Sequence, residues 1–485
     1  VEIVRFWIPD HMPLHYVLQY LVAQIASPSA ILVHRIVPVA IGTACVPVLY
    51  GLTRRLFGRK AALLAALCLA LSPMHVWLSQ EARSSATVSL LVLVSMWALL
   101  WACRDGAGAG WMCSAATNAL LVWLHPMTAF FIGAEAVFVA LYMRCRRRGA
   151  ALWALAQVVA VGAAWLWLRT ALPLVAQEGD DFIMTVPSLR AVFFDLFGDD
   201  AAMSAHPFAL GGLIRYPPES ELLRAYVRAH VRVDYVMASV AAGCLVWFCA
   251  NLVRRRAREY ALLPFVALLP LTALLVVSWV WRPIIEPRYT AYGSLALYPV
   301  VGYALTRIKA PELRRLAMAA LVLAYAYQLS LTLPSTTRTD WRGAGAYIRD
   351  AAGPDDVVFV KGTPFAYDVF RFNVRDLGAP LLPVYTLEAI CEKSAVCLNH
   401  APAGDRAVWA VVEPYIYTLP PLATFEECLD VCGLDWSYKV FPGMNGLHVY
   451  RIARKDGDAG REKDDRSAIP SCFDAEVVLA DIGLA

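Results

Sequence analysis

Residues 55–86 read RLFGRKAALLAALCLALSPMHVWLSQEARSSA and contain the pattern that decides the fold. Basic residues come first, residues 61–78 contain no Asp, Glu, Lys or Arg, and a polar segment with Glu81 and Arg83 follows. About 20 mostly apolar residues are enough for a helix to cross ~30 Å of hydrocarbon. The stretch therefore predicts a membrane span with a basic loop at one end and a polar cluster at the other.

The composition of the whole chain agrees with this prediction. Hydrophobic residues make up 59% of the 485 residues, charged residues 17%, and the mean hydropathy is +0.54. Soluble domains carry roughly 25% charged residues, so this chain lacks the polar surface to dissolve itself. The net charge of +4 is too small to indicate a nucleic-acid partner. Composition thus predicts a multi-spanning protein in contact with membrane lipid, with some soluble mass attached.

The same criterion applied along the chain predicts ten spans. The windows without any charged residue are 36–52, 61–78, 86–103, 150–168, 235–253, 260–281, 289–306 and 316–337. A further stretch, 111–143, is too long for one ordinary span and contains a single acid, Glu135. Its middle holds His125-Pro126, and proline can interrupt a helical hydrogen-bond ladder. The stretch is short for two spans, but two spans place the basic residues 144–149 on the cytoplasmic side with the other basic loops, so we interpret 111–143 as two short spans.

The short basic connectors predict the orientation. They lie at 53–60, 144–149, 254–258 and 307–315, and such loops face the cytoplasm under the positive-inside rule. The resulting segments are 1–30 (outer loop), 31–169 (six spans), 170–234 (outer loop with amphipathic helices), 235–337 (four spans), 338–453 (extracytoplasmic α/β domain) and 454–485 (mostly disordered tail). The predicted fold class is a polytopic α-helical membrane protein with a C-terminal extracytoplasmic α/β domain.

The C-terminal domain follows from local patterns. A helix over 343–352 should end at Gly353-Pro354, and apolar runs at 357–360, 407–412 and 447–452 predict strands.

Five cysteines lie in the part of the chain after residue 334 that is predicted to be extracytoplasmic: Cys391, Cys397, Cys428, Cys432 and Cys472. An oxidising compartment would permit Cys391–Cys397 and Cys428–Cys432 bridges, although pairing does not follow from sequence alone. A metal site is the less favoured interpretation, because no Cys-x2-Cys pair or His cluster accompanies these cysteines.

Ionisable residues collect at the predicted outer ends of the helices. They lie in PDHMPLHY (9–16), SQEARSS (79–85), His125-Pro126 and RPIIEPRY (282–289). A single arginine at a helix end usually extends its charged group to the interface. Four clusters on one side of the membrane are harder to explain in this way, because ionisable groups near lipid tend to mark function. Arginine also offers a bidentate fork for phosphate oxygens.

Several of these segments resemble GT-C glycosyltransferases, most closely the bacterial protein-mannosyltransferase and aminoarabinose-transferase type. PDHMPLHYVLQYL is similar to the His-Pro-Pro-Leu-Tyr-Tyr segment of their first outer loop. Residues 71–86 resemble their Leu-Ser-Pro…Ser-Gln-Glu-Ala-Arg segment, and EPRYTAY (286–292) resembles their late Arg-Tyr motif. TDWRGAGAYIRDA (339–351) is similar to the start of their outer α/β domain. The chain differs in having Met12 within the first motif and Ser85 where a tyrosine is usual.

The resemblance implies transfer of a sugar from a polyprenyl-phosphate donor to a glycan, lipid or protein acceptor outside the cytoplasmic (inner) membrane. The expected reaction is a single inverting displacement in which a carboxylate accepts the acceptor's proton. It implies no certain cofactor and gives no reason to require a metal, and whether a divalent ion takes part stays open. The alternative function is a non-catalytic GT-C-like subunit or a carrier of lipid-linked sugars.

Seven residues are candidates for this site. Arg83 and Arg288 are expected to contact the leaving phosphate, and Arg282 is a weaker candidate for such a contact. Asp10, His11 and Glu81 are expected to line the sugar or acceptor side, and Asp10 is the only plausible carboxylate base near the first outer loop within this chain. Tyr289 lies within the late motif.

The resemblance also implies one more helix and an acidic pair before Val1. We therefore expect eleven spans in the whole enzyme, with the main catalytic base upstream of Val1 and little or no transfer by this chain alone.

Overall fold

The described residues fall into two compact units, a helical unit that ends with Thr332 and a C-terminal unit that begins with Asp340. The computed structural model describes residues 12–25, 31–142, 147–177, 221–255, 258–280, 287–332, 340–361, 367, 370–371, 373–374, 376–384, 387–399, 407–412, 422–441 and 447–454.

The helical unit consists of α-helices and one short 3-10 helix, Arg258–Ala261. The helices are α1 (Pro13–Ile25), α2 (Ile31–Phe57), α3 (Arg59–Leu71), α4 (Pro73–Ser79), α5 (Ser85–Asp105), α6 (Gly108–Leu124), α7 (Thr128–Tyr142), α8 (Arg147–Gln177), α9 (Glu221–Arg255), α10 (Leu262–Val280), α11 (Pro287–Thr306) and α12 (Pro311–Thr332).

Several helices have the length and composition of membrane spans. Among the described residues, five pass on their own and a sixth passes if the bent pair α3–α4 counts as one span. The chain is therefore a multi-pass membrane protein. The ten predicted windows all overlap helices of this unit, and 111–143 divides into α6 and α7 at His125–Met127. That ten of them cross the membrane stays a prediction.

The bend between α3 and α4 follows from two residues. The helices meet at 59°, at Ser72-Pro73. Pro73 has no N–H to continue the ladder of α3 and occupies the first turn of α4, where no donor is needed. The Ser72 side chain accepts a hydrogen bond from the His75 amide at 3.0 Å and so caps the new helix.

Three helix boundaries differ from the predictions. Helix α1 lies in a segment assigned entirely to a loop, because 13 residues are too few to pass a test for spans. Helix α8 continues to Gln177 and α9 begins at Glu221, so both extend into the predicted loop 170–234. The rest of that loop lies outside the described residues.

The C-terminal unit is built on one mixed sheet of five strands in the order β2-β1-β3-β5-β4. Its elements are α13 (Trp341–Ala351), β1 (Val357–Lys361), β2 (Leu381–Val384), α14 (Leu387–Asn399), β3 (Val408–Val412), α15 (Leu422–Val431), β4 (Leu434–Phe441) and β5 (Leu447–Arg454). Strands β2, β1 and β3 are parallel, whereas β5 runs antiparallel to β3 and β4.

Helices cover both faces of this sheet. Ile348 of α13 packs on the face that presents Val358 and Val360, and Ile390 of α14 packs on the opposite face with Phe359. The predicted helix and three strands coincide with α13, β1, β3 and β5. The sequence patterns did not reveal the edge strands β2 and β4. Strand β2 has only four residues and contains Pro383, whereas β4 alternates apolar and polar residues and has no continuous apolar run. The predicted fold class, helical and membrane-spanning with a C-terminal α/β domain, is confirmed.

The structure pairs the cysteines differently from the two bridges considered. A disulfide joins Cys391 of α14 to Cys428 of α15. Cys391 and Cys397 lie six positions apart on one helix, which places them on different faces. Cys428 and Cys432 lie four positions apart on one helix face, so both are directed at the neighbouring helix, where Cys428 is bonded to Cys391. Cys472 lies outside the described residues.

Candidate functional site

The turn between α4 and α5 carries two of the predicted site residues. Glu81 is half-buried and its Oε2 atom is buried, whereas the Arg83 side chain is exposed. The turn is short because α4 ends at Ser79 and α5 begins at Ser85. One end of the helical unit thus presents an accessible cation beside a partly enclosed carboxylate.

Helix α1 is attached to this turn. The Nε2 atom of His15, a buried side chain, lies 3.0 Å from the carbonyl oxygen of Ala82. Since a carbonyl oxygen only accepts, the Nε2–H tautomer is the donor. Met12, at the start of α1, is buried in the helical core. The residues that directly follow Asp10 and His11 are therefore held against the Glu81–Arg83 turn.

A buried polar contact holds α4 against α2. The Nε2 atom of His75 lies 2.9 Å from the Gly42 carbonyl oxygen, and the Ser79 hydroxyl donates to the His75 carbonyl oxygen at 2.6 Å. A Cβ added at Gly42 would overlap the Ser79 side chain. Glycine is thus needed at position 42 for the two helices to approach this closely.

The start of α11 lies beside α4. Ala291 packs against Met74 and Leu78 of α4 in one apolar cluster. One position further on, the Tyr292 hydroxyl donates to the Met127 carbonyl oxygen at 3.3 Å. The structure thereby brings together α4, the break between α6 and α7, and the first turns of α11.

The predicted site residues are distributed as follows. Glu81 and Arg83 share one turn, and the backbone of Arg288 and Tyr289 forms the first turn of α11. Ala291, in the next turn of that helix, contacts the helix that leads into the Glu81–Arg83 turn. Asp10, His11 and Arg282 lie outside the described residues. The roles assigned to all seven residues stay predictions.

Sequence reasoning did not single out the residues that support this region. His15 lies in the first motif, and His75 and Ser79 lie in the second, so isolated polar residues in apolar runs were the available signal. Gly42 gave no signal, because a small residue in an apolar helix is ordinary.

The arrangement suits an anionic, hydroxyl-rich ligand. An exposed guanidinium can donate two parallel hydrogen bonds to a phosphate, and a carboxylate accepts hydrogen bonds from hydroxyl groups. Among the described residues, the group of three or more side chains that could hold a metal ion consists of Cys391, Cys428 and Cys432. That group belongs to the C-terminal unit, so the residues of this site offer no comparable set of ligands within the described part of the chain.

Comparison with protein families gives a match over the segment that contains this site. Residues 10–168 match the family described as dolichyl-phosphate-mannose-protein mannosyltransferase. The matched segment runs from Asp10 through α1 and the Glu81–Arg83 turn into α8. A comparison with curated proteins finds no significant match.

Three solved structures are similar to the chain over most of its length. ArnT from Cupriavidus metallidurans in the apo state is 13% identical, with 91% of this chain and 87% of that chain covered and a TM-score of 0.50. ArnT from the same organism bound to undecaprenyl phosphate is 12% identical, with 94% and 90% covered and a TM-score of 0.48. The arabinofuranosyltransferase AftD from Mycobacteria, as an R1389S mutant, is 17% identical, with 88% and 35% covered and a TM-score of 0.41.

At this level of identity the apo ArnT match shows a shared fold. The chain has the fold of GT-C glycosyltransferases, and the resemblance first drawn from its motifs is confirmed.

Proposed function

We propose that this protein is an integral-membrane glycosyltransferase that moves a sugar from a polyprenyl-phosphate donor to an acceptor on the outer face of the cytoplasmic membrane. The observation that carries the proposal is the family match over residues 10–168, since this segment includes the Glu81–Arg83 turn and its attachment to α1. The name of that family specifies a dolichyl-phosphate-linked sugar as donor, and dolichyl phosphate is a polyprenyl phosphate.

The proposed reaction is a single displacement with inversion. The acceptor hydroxyl attacks the anomeric carbon, the bond from that carbon to the phosphate oxygen breaks, and polyprenyl phosphate leaves. A carboxylate accepts the hydroxyl proton, and fixed cations stabilise the negative charge that develops on the phosphate. Asp10 is the candidate for the carboxylate within this chain.

The remaining roles follow from charge and exposure. Arg83 is exposed at a helix end, where it can meet a phosphate at the depth of lipid headgroups. Arg288 lies in the first turn of α11, where partial positive charge of the helix terminus adds to its own charge. Glu81 with His11 would line the sugar or acceptor, while Arg282 and Tyr289 would complete the surroundings of the donor.

A transfer assay tests the proposal directly. Membranes containing the intact gene product are supplied with polyprenyl phosphate that carries a radiolabelled sugar, and label in the acceptor fraction is measured. Arg83→Lys and Arg288→Lys keep the charge but remove the bidentate fork. We expect each to lower turnover at least about tenfold, or ~1.4 kcal/mol of transition-state stabilisation.

Arg54→Lys is the matched control. Arg54 is an exposed arginine in the last turn of α2, in the predicted cytoplasmic loop, so turnover should stay within about twofold of the parent. Near-normal turnover in both site variants would show that Arg83 and Arg288 only extend their charged groups to the membrane interface and do not act on the phosphate. Binding of polyprenyl phosphate without any sugar transfer by the parent would favour the non-catalytic carrier or subunit.

The proposed orientation has a separate test. Cys432 is exposed in the C-terminal unit, so a membrane-impermeant maleimide should label it on intact cells, as peptide mass spectrometry can verify. Labelling that requires cell lysis would reverse the proposed orientation.

A further inference from the structure

Three cysteine sulphur atoms of the C-terminal unit lie close together. Cys391 and Cys428 form the disulfide between α14 and α15. The Sγ atom of Cys432 lies 3.4 Å from the Sγ atom of Cys391, and all three sulphur atoms lie within 4.8 Å of one another. Cys391 therefore has a second thiol within reach besides the cysteine to which it is bonded.

The second thiol is placed by helix periodicity. Cys428 and Cys432 are four positions apart, and the Cys432 amide donates to the Cys428 carbonyl oxygen at 3.0 Å, which extends the helical turn beyond Val431. Both side chains consequently face α14. Gly433 then adopts a positive φ of 68° and ends the helix.

The two cysteines differ in access. Cys391 is buried, whereas Cys432 is exposed at the end of α15. The accessible thiol thus lies next to the buried sulphur of an existing disulfide, which is the arrangement that thiol–disulfide exchange requires.

We infer that Cys391, Cys428 and Cys432 form a thiol–disulfide exchange site in which Cys391 is the shared sulphur. The Cys432 thiolate attacks Cys391 Sγ, a Cys391–Cys432 bond forms, and the Cys391–Cys428 bond breaks. Cys428 leaves with the electron pair of that bond and takes up one proton in place of the proton that Cys432 lost. The exchange leaves the number of disulfides unchanged and consumes no external oxidant.

Chain entropy does not favour one pairing over the other. The bonded cysteines are 37 residues apart, and the alternative pair is 41 residues apart. Closure entropy varies only with the logarithm of loop length, so the two loops cost nearly the same. Local geometry therefore decides the balance, and we expect both pairings to be populated at equilibrium.

The same geometry makes the exchange slow. The three sulphur atoms form a compact triangle, whereas attack on a disulfide needs the incoming sulphur in line with the bond, so the Cys432 side chain has to turn first. The protein atoms that cover part of the otherwise exposed Cys432 thiol, together with the neighbouring Glu392 carboxylate, raise its pKa. The thiolate is the nucleophile, and it is the minor form at neutral pH. Cys391–Cys428 is thus the pairing that persists until a thiolate forms.

Peptide mapping of the intact chain tests this inference without reference to sugar transfer. The purified protein is held at pH 8.5 with a trace of reduced glutathione, quenched with acid and N-ethylmaleimide, and digested without reduction. We expect Cys391–Cys432 peptides to accumulate beside Cys391–Cys428 peptides in the parent. The Cys397→Ser variant is the matched control, because it removes a cysteine of α14 outside the cluster, and its map should match the parent's.

Two single variants complete the test. Cys428→Ser should contain the Cys391–Cys432 disulfide, and Cys432→Ser should contain only Cys391–Cys428. Alkylated Cys391 and Cys432 in the Cys428→Ser variant would overturn the inference. If the Cys428→Ser variant fails to fold, the peptide map of the parent decides alone. A parent that yields only Cys391–Cys428 peptides at pH 8.5 would overturn the inference. A disulfide from Cys397 to Cys391, Cys428 or Cys432 would also overturn it.

Discussion

The helical unit and the C-terminal unit each bury a carboxyl group, and the hydrogen-bond donors differ. In the helical unit the fully buried Glu135 of α7 accepts from the Asn118 amide at 2.7 Å and from the Ser95 hydroxyl at 3.0 Å. Both donors are side chains, and they come from α6 and α5. The network continues to Ser114, which contacts Ser95 at 3.1 Å and accepts from the Trp153 indole at 3.0 Å.

In the C-terminal unit the buried Asp356 precedes β1 and relies mainly on backbone donors. It accepts from the amides of Gly353 at 3.0 Å and Ala407 at 2.8 Å, and from the Trp409 indole at 2.9 Å. Gly353 belongs to the same loop, and Ala407 directly precedes β3.

The difference follows from where free backbone donors exist. Inside a helix the backbone N–H groups already donate within the helix, so a carboxyl group there depends on side chains from other helices. A loop at the end of a strand has unpaired N–H groups that can satisfy a carboxylate locally. Asp356 should therefore be the more tightly held of the two carboxyl groups, and four experiments can challenge or refine this contrast.

The largest effect is expected for Asp356→Ala. The change leaves buried amide and indole donors without an acceptor, and each costs about 1–3 kcal/mol, so the C-terminal unit should lose at least about 3 kcal/mol. Alkylation of Cys397, buried in that unit, should become about a hundredfold faster in the intact protein. Cys45, buried in the helical unit, should react as in the parent. Asp355→Ala changes an exposed neighbour and serves as the control. Equal rates of Cys397 alkylation in Asp355→Ala and Asp356→Ala would show that Asp356 has no special role in stability.

A pH-dependent effect is expected at His448, a buried residue of β5 whose ring stacks on Tyr438. Burial lowers its pKa from 6.5 to about 4 in the folded protein. The unfolded chain therefore binds more protons between these values, and stability is lost as the pH falls from 6.5 towards 4. The loss should reach about 2–3 kcal/mol relative to His448→Phe.

Hydrogen exchange of β5 peptides measures this loss, with parent and His448→Phe compared at the same pH so that intrinsic rates cancel. Parallel pH profiles for the two proteins would show that burial does not lower the pKa of His448.

A smaller effect is expected for Gly42→Ala, which tests the close contact of α2 and α4 beneath the Glu81–Arg83 turn. The added methyl group overlaps the Ser79 side chain, and overpacking of this kind costs about 1–3 kcal/mol. The melting temperature in detergent should fall, and Gly42→Ala combined with Ser79→Gly should recover most of the loss. Equal melting temperatures for the single and double variants would show that the loss does not come from overlap with the Ser79 side chain.

The smallest effect is expected at Glu135. Glu135→Leu removes both acceptors, yet interhelical hydrogen bonds in membrane proteins contribute only about 0.6–2 kcal/mol. Alkylation of Cys45 should become about fivefold faster in Glu135→Leu than in the parent. Glu135→Gln keeps one acceptor oxygen, so its alkylation rate should lie between those of the parent and the Leu variant. A Glu135→Leu effect as large as that of Asp356→Ala would contradict the contrast between the two units.

Much of the architecture could be predicted because its signals are local. The apolar windows and the break at His125-Pro126 depend on residues adjacent in sequence. The bend at Ser72-Pro73 was not predicted, because residues 61–78 read as a single span. The short helix α1 and the edge strands β2 and β4 were not predicted, since α1 and β2 are short and β4 alternates apolar and polar residues. In the candidate site, Glu81 and Arg83 could be named from a motif, whereas the supporting contact of His15 with Ala82 joins residues 67 positions apart.

The sequence by itself determined which segments are apolar enough to enter a membrane and where the polar residues collect, because hydropathy and flanking charge act along the chain. Only the tertiary structure decided which groups meet. The bond from Cys391 to Cys428, the donors around Glu135 and the approach of Gly42 to Ser79 all depend on how helices are rotated and crossed. Those angles result from side-chain fit between distant segments, and a one-dimensional pattern does not contain that information.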